Sequence, residues 1–249
     1  MRNVMMASSA VFLATLIRRR YLRWGVTAAE QWSYLPGDTL LPDTNLMATR
    51  AISIHAAPED VWPWIAQLGQ GRGGFYSYDF LENLIGCDIH SADRVHPEWQ
   101  HPAVGTEIKL APQLPLSVAA LEPGTALVLR GAVPMGSTAP PYDFTWAFVI
   151  RRAPDGTSRL VVRERYLYKN RWAPLIVQPA ELLSCLMSVR MLRTIKKRAE
   201  QAPGDSLPLT ANVLTLHPNS PAAQHFERRR PRNVPSANTI DQQIKEVLR

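Results

Sequence analysis

The stretch 143–168, DFTWAFVIRRAPDGTSRLVVRERYLY, decides the fold. Its first part alternates: Phe144, Trp146, Phe148 and Ile150 fall on one face, with Asp143, Thr145, Ala147 and Val149 on the other. A period of two is the signature of a strand with one covered face. Ala153-Pro154-Asp155-Gly156 then supplies turn chemistry. A second strand, 159–168, puts Leu160, Val162, Glu164, Tyr166 and Tyr168 on one side and Arg159, Val161, Arg163, Arg165 and Leu167 on the other. An antiparallel hairpin follows, with an aromatic face that needs cover and an arginine-rich face expected to meet solvent.

Working outward, 105–110, 116–121 and 126–131 read as three more strands, the last two joined at Glu122-Pro123-Gly124, and 48–55 as another before a short helix. The 21 prolines confine long helices to 1–35, 64–96 and 180–202, because proline inside a helix costs about 3 kcal/mol. In 180–200, Leu183, Met187, Met191 and Ile195 form an i, i+4 row that Leu182, Leu186, Val189 and Leu192 widen. That stripe predicts one long amphipathic helix closing the sheet. Cys185 falls on its buried side as an inert thiol.

Composition narrows the function classes. The chain has 249 residues, 46% of them hydrophobic and 20% charged, which is room for one full-sized domain with tails. No run approaches the roughly 20 apolar residues of a spanning helix. Two cysteines build neither a disulfide framework nor a cysteine zinc site. The net charge of +7 belongs to the ends: residues 26–200 carry seventeen basic and seventeen acidic side chains. A body without basic excess argues against nucleic acid as a partner. Residues 4–17 are largely apolar and precede Arg18-Arg19-Arg20, the reverse of a signal peptide. Residues 1–20 read as an apolar and basic helix that either lies in a membrane interface or covers a hydrophobic surface, so peripheral membrane contact through 1–23 stays open. The Pro-, Ser- and Arg-rich segment 201–249 shows no period and reads as a disordered tail.

Strand, short helices, antiparallel strands and a long last helix is the order of the α+β helix-grip fold. The segments Arg23-Trp24-Gly25, Leu35-Pro36-Gly37-Asp38, Thr49 to Ile54, Pro58 to Trp64 and Gly69 to Asp79 also resemble the START-like SRPBCC superfamily, and within it the polyketide cyclase/dehydrase-like branch of bacterial proteins. The resemblance covers about residues 21–200. It implies an internal apolar cavity, a cytoplasmic protein and a hydrophobic small-molecule partner, with no cofactor, and says nothing of the ligand's identity.

Several motifs compete with this reading. Gly69, Gly71 and Gly74 match G-x-G-x-x-G, but the preceding 61–68 reads as a helix where a dinucleotide site needs a strand, so a glycine-rich turn is expected. Asp88, His90, Asp93, His96, Glu98 and His101 are potential metal ligands at a spacing that matches no standard motif, so no metal is assigned. Asp79, Glu82 and Asn83 lie on an apparent helix 78–85 and are expected to face solvent, with Asp79 and Glu82 within reach of a cavity mouth. No Ser-His-Asp or Cys-His arrangement is readable.

Glu164 stands out, because alternation places a carboxylate on the covered face, where an unpaired charge is costly. It anchors a polar group of a ligand, acts as a general acid or base, pairs internally with an arginine such as Arg130, or meets solvent if the strand register slips by one residue. Trp64, Tyr76, Tyr78, Trp146 and Tyr166 are expected to share the ligand site with Glu164, as large apolar bodies that also suit core packing. Three functions follow. A carrier or binder of a lipid, polyketide or isoprenoid-like molecule needs few polar groups in the cavity. A cyclase/aromatase-type or dehydratase enzyme needs Glu164, with Asp143 or Arg130, to converge there. A membrane-recruited module would depend on the basic ends.

Overall fold

In the computed structural model, the residues described are 12–13, 15–84, 86–132 and 140–201. The expected tail 201–249 therefore lies, but for Gln201, outside the described residues, as does most of the apolar stretch 4–17. Its described part is helical, at 12–13 and then as α1 (15–22), and Phe12, Leu13, Leu16 and Ile17 are exposed.

Six strands form one antiparallel sheet in the order β1-β6-β5-β4-β3-β2: β1 (Leu46–Ile54), β2 (Glu107–Ala111), β3 (Leu114–Glu122), β4 (Ala126–Gly131), β5 (Tyr142–Arg152) and β6 (Ser158–Tyr168). Helices α3 (Pro58–Ala66) and α4 (Asp79–Leu84) intervene between β1 and β2, and α5 (Ala173–Gln201) packs on the sheet. This is the helix-grip architecture. The expected hairpin sets the register: Trp146 pairs with Glu164 and Phe144 with Tyr166, so alternation delivers all four to the inner face. The main core lies there, with Phe148, Ile150, Leu160 and Val162 packed beneath α3 and the C-terminal half of α5.

The arginine face is not solvated. Residues 25–45, carrying α2 (Ala28–Trp32), cross the outside of the sheet, and Leu35 closes a second small core over Ala51, Ala126, Val149 and Val161. Arg163, 2% exposed, donates to the carbonyls of Glu30, Gln31 and Ser33 and to Asp38; Arg165 also reaches Asp38, and Arg159 pairs with Glu30. Arginine's five donors satisfy loop carbonyls that would otherwise be buried without partners. Gly25 begins this strap at φ +70°, where a Cβ would sit 2.2 Å from the Ala51 carbonyl oxygen. The Arg-Trp-Gly and Leu-Pro-Gly-Asp segments are thus the seams of the strap.

The last helix departs from expectation at both ends of the proline argument. It starts at Ala173, with Pro174 in its first turn, where the missing N–H costs nothing, and runs through Pro179. Proline at that point forfeits only the bond to the carbonyl of Leu175, an exposed residue. By length and composition alone this helix is also apolar enough to cross a bilayer. Its buried face in the first half is Val177, Glu181, Cys185 and Ser188, while Leu182 and Leu186 are exposed. The polar stripe turns inward because it lies over charged groups of the sheet. Similarly, α3 continues through Pro63 as a single helix from Pro58.

Candidate functional site

Between the inner face of β2–β6, the segment 75–87 and the first half of α5 lies a cavity of about 270 Å³. All but five of its twenty lining residues, Ser77, Glu82, Glu164, Ser184 and Ser188, are apolar or aromatic. Ala180 and Leu183 line it and are also exposed, so its mouth is bordered by α5. Leu183 and Met187, expected in the packed stripe, are wall residues.

Three of the residues expected at the site, Trp146, Glu164 and Tyr166, come together in this lining. Phe144 lies between the rings of Tyr166 and Trp146, tilted against both, with centroids at 4.8 and 6.5 Å. Trp64, Tyr76 and Tyr78 are elsewhere. Tyr76 donates to the Trp64 carbonyl and accepts from Gln67, while the Arg198 guanidinium lies over both rings. Burial raises the Tyr76 phenol pKa, the neighbouring donors opposing only in part. These groups tie α3 to the glycine turn. Tyr78 is half-exposed beneath Arg190. Asp143 pairs with Lys169 at the surface, and Arg130 is exposed, so neither converges on the cavity.

The partner of Glu164 is Arg50, from β1. Arg50 and Glu164 are 0% and 1% exposed, joined at 2.8 Å, and Arg50 also bonds Glu181 of α5, itself 0% exposed. Glu164 further accepts from Tyr166 at 3.0 Å, from Ser184 at 2.8 and 3.0 Å and from Ser188 at 3.3 Å. Two carboxylates around one guanidinium leave the cluster with an excess of negative charge. Burial accordingly raises the Glu181 carboxyl to about 7, against the opposing pull of Arg50, and Glu164 adds to the rise. Desolvation works against the Arg50 charge, yet its neighbours, Glu164 first and then Cys185 and Glu181, more than offset it and hold its pKa above the ordinary value. The Tyr166 phenol is driven well up by burial and by Glu164.

Glu82, expected to face solvent within reach of a cavity mouth, is 3% exposed and lines the same cavity from α4. One oxygen accepts from Ser77 at 2.7 Å; the other, Oε2, is buried without a partner, as is the indole N–H of Trp146. Desolvation, with Asp79 nearby, raises the Glu82 carboxyl, and Ser77 opposes. A six-residue helix with Phe80, Leu81 and Leu84 exposed turns its acid inward, the inverse of ordinary amphipathic patterning. Only that inversion signals Glu82 in the sequence.

The remaining motifs have local roles. Gly69 and Gly74 pair across a tight turn after α3, and a Cβ on Gly74 would meet Ser91 Cα at 2.8 Å. With a helix before it, the turn lacks the strand that a dinucleotide site requires. His90 pairs with Asp88 and His96 with Glu98. Among the described residues, no group of three or more His, Cys, Asp or Glu is placed to hold a metal.

No family model matches the chain, and no curated protein matches it. Solved structures are similar at low identity. A Mesorhizobium loti protein is 16% identical over 64% of this chain and 99% of its own, with a TM-score of 0.40. A Polyketide_cyc-like protein from Corynebacterium glutamicum is 14% identical over 63% and 91%, at 0.37. Aha1 from Colwellia psychrerythraea is 14% identical over 61% and 98%, at 0.35. The fold and the chemistry of the cavity rest on this chain's own residues.

Proposed function

We propose that the chain binds a hydrophobic small molecule in this cavity. The observation that supports the reading is a carbon-lined space left open between α5 and the sheet, where a core of this fold would otherwise be packed. Phe75, Phe144 and Trp146 offer ring faces to the guest, and Met187 and Met191 offer adaptable thioethers. A cyclase-type reading that uses Glu164 as a base is less favoured. Its two oxygens already accept from four side chains, so no lone pair is left for a substrate proton.

Calorimetric titration with 2-methylnaphthalene, an uncharged apolar probe, tests this. Binding with a negative heat-capacity change is expected. Met187→Trp, which fills the cavity from the partly exposed helix wall, should weaken it about tenfold or more. Equal binding to the variant would place the probe elsewhere and overturn the reading.

A further inference from the structure

Resting on that reading, we propose that the cavity takes a neutral apolar molecule bearing a hydroxyl or carbonyl oxygen, recognised by the indole N–H of Trp146 and the free carboxyl oxygen of Glu82. Trp146 and Glu82 are 8% and 3% exposed, both line the cavity, and each has one polar atom buried without a partner. Such atoms are rare in folded proteins because a lost hydrogen bond is not compensated there. One of the two is a donor that cannot accept. It calls for an oxygen on the guest. The other belongs to a carboxyl that accepts from a hydroxyl when ionised and donates to a carbonyl when neutral.

The charge of the lining sets the class. Among the described lining residues there is no Lys, Arg or His, and the two charged types present are both Glu. Arg50, which pairs with the lining residue Glu164, is engaged by both Glu164 and Glu181. A carboxylate or phosphate guest would find no unpaired cation in the lining to offset the solvation it loses on entry. A cationic guest would need Glu82 ionised. Burial and Asp79 raise its carboxyl pKa, against Ser77, so a charge there is costlier than in water. A neutral oxygenated guest satisfies both orphan atoms without bringing a charge inside.

Four probes on one naphthalene frame separate the possibilities: 2-naphthol, its isostere 2-methylnaphthalene, 2-naphthoate and 2-naphthylmethylamine, titrated into the full chain at pH 7. The expected order places 2-naphthol about tenfold or more tighter than 2-methylnaphthalene, with the naphthoate weakest. Glu82→Leu and Trp146→Phe should each reduce the preference for naphthol over methylnaphthalene to about threefold or less. A preference unchanged in both variants would overturn the assignment of these residues. Tightest binding by the amine or the naphthoate would overturn the neutral class. Equal binding of methylnaphthalene and naphthol would defeat this inference while leaving the cavity reading intact; failure of all four probes to bind would defeat both.

Discussion

Glu164 and Glu82 are buried carboxylates lining the same cavity, and they differ in what their oxygens hold. Glu164 is saturated: an arginine, a tyrosine and two serines donate to it, and Arg50 extends the cluster to Glu181. It joins β1, β6 and α5 at the point where the sheet meets its covering helix. Glu82 is half-satisfied, on a short helix whose apolar side chains face outward. A buried acid with all its lone pairs filled holds the fold together. An acid that lines a cavity with one oxygen unpaired keeps a hydrogen-bonding position for a guest.

The contrast is broken most forcefully at Arg50. Arg50→Met leaves Glu164 and Glu181 buried together without their cation, and should cost about 3–5 kcal/mol in urea unfolding at pH 7. A cost below about 1 kcal/mol would mean that the cluster is not structural. Next comes pH. The folded Glu181 carboxyl titrates at about 7 and its unfolded counterpart near 4.5. The folded chain thus keeps a proton that the unfolded chain releases, and stability falls as pH rises between these values. Glu181→Gln should lose that decline, gaining on wild type at pH 8 relative to pH 4.5, as unfolding at the two pH values would read. A constant difference would remove Glu181 from the pH response. The smallest effect belongs to Glu82. Glu82→Leu removes an unpaired buried oxygen and one bond to Ser77, so stability should change by less than about 1 kcal/mol. A loss comparable to that of Arg50→Met would make the two acids equivalent.

The same contrast explains what was legible in the sequence. Strand alternation in β5 and β6 placed Phe144, Trp146, Glu164 and Tyr166 on one face, and the hairpin register brings them together. The helix-grip order followed from it. Pairing partners were not legible, because Arg50 and Glu164 are 114 residues apart and meet only through the β1–β6 register. Alternation puts Arg163 on an outer face without saying what lies over that face, and no period in 25–45 announces a strap across it. Hydropathy misplaced the stripe on α5 for a related reason. Leu183 and Met187 border a space, Leu182 and Leu186 face outward, and the inward positions Glu181, Ser184 and Ser188 answer the charges of the sheet. Trp64 and Tyr76 share composition with the cavity wall but are fixed by Gln67 and Arg198, contacts that no local pattern announces.

The most direct test is native mass spectrometry of the full chain purified from its own host, as wild type and as Glu82→Leu, followed by organic extraction. Wild type should carry one neutral, apolar, oxygen-bearing molecule near one per chain, and the variant, unfolding at the same urea concentration, should carry measurably less of it. An acidic lipid bound equally by both proteins would contradict the account.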